Sequence, residues 1–194
     1  MYNGRFIVHI AGPGRCGKDT VAAALSELVE DLRYKHSTSY TAAPFFYQAV
    51  RLGQFEHEDL NEHTYKSLEE CFAARNESQR MRKIWAGYID HLNARTGTEL
   101  YRLSIDNGND ILTGIRKVRE IVACTEQGII DLNIWVCNGL RSQNEDSTQE
   151  YGPEVCDFIF LNEPIVDEKL RRETLRRKLL NIVNISKLKW AIRR

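Results

Sequence analysis

The chain has 194 residues, 42% hydrophobic and 28% charged, with 27 Lys/Arg balanced by 27 Asp/Glu. This composition is too apolar for a disordered chain and is ordinary for one soluble domain with a useful core. No apolar run approaches the roughly 20 residues that span a bilayer, and no signal-peptide pattern opens the chain.

The first element expected is a buried strand, Arg5 to Ala11 (RFIVHIA), a short β-rich run bounded by glycines. Directly after it comes Gly12-Pro-Gly14-Arg15-Cys16-Gly17-Lys18-Asp19-Thr20, which satisfies Gly-x-x-x-x-Gly-Lys with Asp19 where Ser or Thr is usual. Glycines in such a loop let the backbone curl until several N–H groups face phosphate oxygens. A helix opening at Lys18 adds the positive end of its dipole. Lys18 would supply a mobile ammonium to a transferring phosphoryl group. Asp19 can hold Mg²⁺ directly or through water, or act near an acceptor, and the Thr20 hydroxyl is the alternative metal ligand. The flanking context supports the motif, because Val21, Leu25, Leu28, Val29 and Leu32 follow at helical spacing.

Ser37 to Ala42 reads as a second strand, and the stretch from Pro44 to about Leu103 as mostly helix. At and after that second strand Tyr40, Phe45, Phe46 and Tyr47 are either core or a platform for a nucleobase. Arg75, Arg80 and Arg82 are candidate grips for an acceptor phosphate, against the alternative of solvated helix charge. His9 reads as a core histidine, and His57, His63 and His91 lack metal-ligand spacing.

Asp110 to Ile115 is a third strand, followed by a helix carrying Val118, Ile121, Val122 and Thr125. Arg116 falls just past that strand, on the carboxyl edge where open α/β sheets bind ligands. It is positioned to neutralise phosphate, with Glu120 one turn later to orient it, unless the two are a structural ion pair. Asp131 to Cys137 is a fourth strand, and the polar residues from about 138 to 153 form a lid-like loop in which Arg141 can close over phosphates. Cys156 to Leu161 is the fifth strand, and a final amphipathic helix carries Leu170, Leu175, Leu179, Ile182 and Val183. From Asp167 to Arg194 there are ten Lys/Arg against three Asp/Glu, and the tail from about 184 to 194 is basic. Such a segment is either a solvated helix face or a contact for a polyanion such as DNA. The five cysteines (Cys16, Cys71, Cys124, Cys137, Cys156) form no Cys-x-x-Cys pair, which points to reduced thiols and a cytoplasmic setting.

Strands alternating with helices imply one α/β domain over 1–194. Its expected architecture is a three-layer α/β/α P-loop fold, with a five-stranded parallel sheet and a helical insertion over about 44–105.

Gly17-Lys18-Asp19-Thr20-Val21-Ala22 resembles the phosphate loop of phage deoxynucleoside monophosphate kinases, where Gly-Lys-Asp-Thr is characteristic. Leu112-Thr-Gly-Ile-Arg116-Lys-Val-Arg-Glu120 resembles that family's strand ending in Asp-Val-Arg with Glu four residues on, and Cys156-Asp-Phe-Ile-Phe-Leu-Asn162 its final strand ending in Asn. The family's Asp is Gly114 here. The resemblance spans the α/β scaffold from about Arg5 to Leu180, without the middle helices. It implies phosphoryl transfer from Mg²⁺-ATP to a deoxynucleoside monophosphate in the cytoplasm, that of the host if the chain is phage-encoded, with the helical insertion carrying the acceptor. The departure at Gly114 admits a second acceptor, 5-hydroxymethyluracil in DNA, used by related phage kinases, and a third reading as a nucleotide-binding module without turnover.

Overall fold

The computed structural model describes residues 2–55, 65–138, 150–163, 165 and 167–192. Four strands, β1 (Val8–Ala11), β2 (Ile111–Thr113), β3 (Leu132–Cys137) and β4 (Phe158–Leu161), form a parallel sheet in the order β2–β1–β3–β4. Val8 lies opposite both Ile111 and Leu132, so the internal strand β1 is bonded on each side. Its VHIA sequence is buried throughout, as a parallel strand covered on both faces requires.

Alternation along the strands divides the core. Val8, Ile10, Ile134 and Val136 pack against Val21 and Leu25 of α1 (Lys18–Leu28) and Leu179 and Ile182 of α7 (Glu168–Ile192). On the other face Ile7, Ala11, Leu112 and Trp135 meet Tyr101 and Ile105 of α5 (Glu99–Asp106) and Ile121 of α6 (Val118–Glu126). Helices on both faces of a parallel sheet are compatible with a three-layer α/β/α fold. A separate core lies in α2 (Thr38–Arg51), α3 (Leu68–Ala74) and α4 (Gln79–Leu92). There Phe46 stacks on Trp85 with ring centroids 4.2 Å apart and meets the edge of Tyr88. No described helix is long and apolar enough to cross a membrane.

The expected second strand is helix instead, so the described residues hold four strands where five were anticipated. Ser37 is extended and caps α2, its side chain accepting from the backbone of Tyr40. Thr38, Thr41, Ala42, Phe46 and Ala49 are then buried at helical spacing. The β-branched and aromatic character of Thr38 to Thr41 suggested a strand, but the cap and the buried stripe decide for helix. What runs beside β2 is the segment 32–36, held mainly by side chains. Asp110 N donates to the carbonyl of Arg33 at 2.7 Å, while Arg33 N donates to Asp110 Oδ2 at 3.0 Å and Lys35 N to Asn109 Oδ1 at 2.8 Å.

His9, in the middle of β1, is fully buried as the sequence suggested. Its Nδ1 lies 2.8 Å from Asn133 Oδ1. That oxygen can only accept, so Nδ1 carries the hydrogen and Nε2 is left as a lone-pair nitrogen. Burial, opposed by the Asn133 hydrogen bond and aided by the charge of Lys18, lowers the imidazole to about 4 from 6.5. Between those values the unfolded chain binds the proton and the folded chain does not, so stability falls as pH falls through this window. At pH 5 the loss relative to pH 7.5 from His9 alone should be about 2 kcal/mol. Urea unfolding of wild type and His9→Gln at the two pH values checks this: the variant should lose about 2 kcal/mol less on acidification, and an equal loss would assign the acid sensitivity elsewhere.

Candidate functional site

The chain leaves β1 at its carboxyl end, turns through the glycine-rich loop 12–17 and enters α1 at Lys18. β1 has β2 on one side and β3 on the other, so the loop sits where successive connections diverge across the sheet, the usual position of ligand crevices in such folds. Lys18 folds back over its own loop, its Nζ donating to the carbonyls of Gly12 at 2.8 Å and Pro13 at 2.6 Å. Burial lowers the pKa of this ammonium, and nearby Arg116 lowers it further. Cys16 is packed into the α1 face of the core, and burial pushes its thiol up, so it is a packing group here rather than a nucleophile.

The far end of the loop is tied to β4. Asn162, just beyond that strand, donates from Nδ2 to the carbonyl of Cys16 at 2.9 Å. Gly17 is the residue this contact requires. Its φ of +91° is in the left-handed region, and a Cβ there would come 2.3 Å from Asn162 Nδ2.

Asp19 and Thr20 are both exposed in the first turn of α1. Asp19 Oδ1 accepts from the Tyr34 hydroxyl at 2.6 Å and from the Thr113 hydroxyl at 3.3 Å. Burial first, then Asp19, raises the Tyr34 phenol, which keeps it a donor. Gly114 follows Thr113 with a φ of +96°, a conformation that side chains rarely adopt. An aspartate at this position would be strained in this backbone.

Just past α3 in the helical layer, Arg75 lies half-buried, its guanidinium carbon 4.4 Å from the centroid of the Phe72 ring. Phe72 in turn meets Tyr40 edge-on at 4.9 Å. Burial lowers the Arg75 pKa, and Arg116 and Arg82 lower it further while Asp19 opposes them. Lys18 and Arg75 thus each feel the charges of Arg116 and Asp19, and Arg75 also that of Arg82, while Arg82 and Arg116 themselves are exposed.

Other expected residues lie elsewhere. Glu120 does not orient Arg116 but turns into the core, 2% exposed. Its Oε1 accepts from Asn93 Nδ2 at 2.9 Å and its Oε2 from the Tyr101 hydroxyl at 2.6 Å. Asn93 also accepts from Leu100 N, so Glu120 joins α6 to α5 and to the end of α4. Of the aromatic group, Phe46 is core, Phe45 is exposed, Tyr47 lies under Arg51, and Tyr40 alone reaches Phe72. Arg80 and Arg15 are exposed. Arg141 and the tail side chains from Lys187 lie outside the described residues.

Tyr34, Phe72 and Thr113 were not anticipated. Phe72 had a signal in its spacing of three from Arg75 on a helix. Thr113 had one in its place at a strand end, but Tyr34 had none. Among the described residues no group of three or more His, Cys, Asp or Glu side chains is arranged to hold a metal. Compared with protein-family models and with curated protein sequences, the chain matches none.

The placement of Glu120 predicts a structural phenotype. Glu120→Ala strands two buried donors, at about 1–3 kcal/mol each. Chemical denaturation should show a loss of that order, with nucleotide affinity unchanged in the folded fraction. Full stability combined with weakened binding would return Glu120 to the site.

Proposed function

We propose that this chain is an ATP-dependent phosphotransferase whose glycine-rich loop is a P-loop, and that its acceptor is a deoxynucleoside monophosphate. The observation that carries the reading is Lys18 folded over the glycine-rich loop between β1 and α1, its Nζ on the carbonyls of Gly12 and Pro13. Lys18 and Arg75 both feel the charge of Arg116, and a polyphosphate is a ligand that would relieve that repulsion. The loop offers a phosphate the start of α1 and a lysine already folded over the cradle.

The oxygens at the start of α1 suit Mg²⁺. The Asp19 carboxylate and Thr20 hydroxyl are hard donors, both exposed. Mg²⁺ commonly takes one or two such ligands from protein and the rest from water and phosphate. When bound it would neutralise charge on the phosphate oxygens. The remaining work falls to the chain's own groups. Lys18 leaves its carbonyl partners for the phosphoryl oxygens, an exchange of like hydrogen bonds that costs little. Arg116, at the carboxyl end of β2, meets charge developing on the transferring group. Arg75, set against the Phe72 ring, feels the charge of Arg116 and would grip an acceptor phosphate. Catalysis rests on positioning and charge stabilisation, as phosphoryl transfer requires.

γ-Labelled ATP offered with a panel of deoxynucleoside monophosphates, and separately with duplex DNA containing 5-hydroxymethyluracil, tests the proposal. Label is expected in a deoxynucleoside diphosphate. Label in DNA alone would change the acceptor, and ATP binding without transfer to either would favour a binding module.

Two substitutions separate the roles. Lys18→Ala should lower turnover by about 10²-fold or more with the fold intact. Arg75→Ala should mainly weaken the acceptor, raising its KM by roughly 10- to 100-fold, the effect of losing about 1.5–3 kcal/mol from a charged hydrogen bond. A folded Lys18→Ala protein with wild-type turnover would overturn the kinase assignment.

A further inference from the structure

Asp19 lies within electrostatic reach of Lys18 and Arg75, yet among the described residues it makes no ion pair. Lys18 and Arg75 both register its charge. Its hydrogen bonds, however, come from two neutral hydroxyls, and both fall on Oδ1: Tyr34 at 2.6 Å and Thr113 at 3.3 Å. The difference matters chemically. An arginine or lysine would orient the carboxylate and cancel its charge together. A phenol and an alcohol orient it and leave the charge whole. With both donors on one oxygen, Oδ2 makes no hydrogen bond to a described side chain, and the residue is exposed.

Each donor is delivered by a fixed element. Thr113 ends β2, is 2% exposed, and its backbone N–H donates to the Thr38 hydroxyl at 3.3 Å. Tyr34 belongs to the segment 32–36, which runs beside the start of β2. Its N–H donates to Ser26 Oγ at 3.1 Å, and that hydroxyl donates to the carbonyl of Leu32 at 2.8 Å. The neighbouring Arg33 backbone is locked on Asp110. The phenol thus reaches Asp19 from a backbone that cannot drift. The segment where the sheet lacks a ladder strand is the one that supplies it.

We propose that Tyr34 and Thr113 are positioning residues for the divalent cation of the bound nucleotide. They hold Asp19 through Oδ1 and present a charged Oδ2 to the cation or its water shell. The inference rests on the phosphate-binding reading of the loop and adds two residues to it. Outer-sphere hydrogen bonds of this kind orient a metal ligand, and their loss commonly costs about 10- to 100-fold in metal affinity.

Binding is the direct readout, with Mn²⁺ in place of Mg²⁺ as a spectroscopic probe. Calorimetric titration of the full chain with ADP, with and without Mn²⁺, separates the nucleotide from its cation, and Mn²⁺ paramagnetic resonance reports the bound ion. Tyr34→Phe should weaken Mn²⁺–ADP by roughly 10-fold while leaving metal-free ADP unchanged. Thr113→Val should act in the same direction, and Thr113→Ser, which keeps the hydroxyl, should restore binding. If Tyr34→Phe proves poorly folded, the Thr113→Val and Thr113→Ser pair decides the matter alone. Equal weakening of metal-bound and metal-free ADP would mark a general structural role and overturn the inference, as would no change in either. Wild-type protein that binds no ADP at all would fail the loop reading itself and remove the inference with it. Normal ADP binding without metal selectivity in the variants would refute only the roles of Tyr34 and Thr113.

Discussion

Lys18 bonded to the carbonyls of Gly12 and Pro13 closes the glycine-rich loop on itself, and the architecture of the candidate site follows from that closure. A flexible ammonium on a four-carbon stem would otherwise range widely over a crevice. Held by two carbonyls of its own loop, it is kept where a phosphate would meet it. Asn162 performs the complementary task from the end of β4, binding the carbonyl of Cys16 and setting the far side of the loop against the sheet. The loop is therefore braced at both ends by groups more than 140 residues apart in sequence. A Cβ at Gly17 would break that brace.

The charges around the loop are unbalanced by design of the fold rather than by composition, since the chain as a whole is neutral. Arg75 is brought in from α3 by its stack on Phe72, and Arg116 stands at the carboxyl end of β2. Asp19 opposes them, and its hydrogen bonds come from two neutral hydroxyls. A multiply charged anion would find there both the cations and a carboxylate free for a counterion. Elsewhere the fold satisfies its buried charges internally. Asp110 is closed by Arg5 and Arg33, and Glu120 by Asn93 and Tyr101. Those carboxylates build the scaffold, while Asp19 stays at the surface with one oxygen unengaged.

Much of this was legible in the residues. Continuous apolar runs marked β1 to β3, because strands buried on both faces show no alternation, a β-rich run marked β4, and the spacing of Val21 and Leu25 marked α1. The misreading of Ser37 to Ala42 has a definite cause. Thr and Tyr favour strands locally, but propensity is weak beside a capping serine and a stripe of buried residues continuing to Phe46 and Ala49. Glu120 was misassigned because a spacing of four from Arg116 places two residues on one helix face only if both belong to the helix. Here α6 begins at Val118 and Arg116 precedes it, so the carboxylate turns inward to Asn93 and Tyr101.

By itself, then, the sequence determined the parallel α/β arrangement, the position of the glycine-rich loop after the first strand, and Lys18 and Arg116 as charges near the carboxyl edge. These are local facts, carried by periodicity and by a short contiguous motif. Only the tertiary structure decided that Arg75 lies against the Phe72 ring and within electrostatic reach of Arg116. It likewise decided that Tyr34 and Thr113 converge on one oxygen of Asp19, and that Asn162 fastens Cys16. The reason is geometric. Each of those pairings joins residues separated by a strand crossover or a helical insertion, and no periodicity along the chain encodes the distance across a sheet edge.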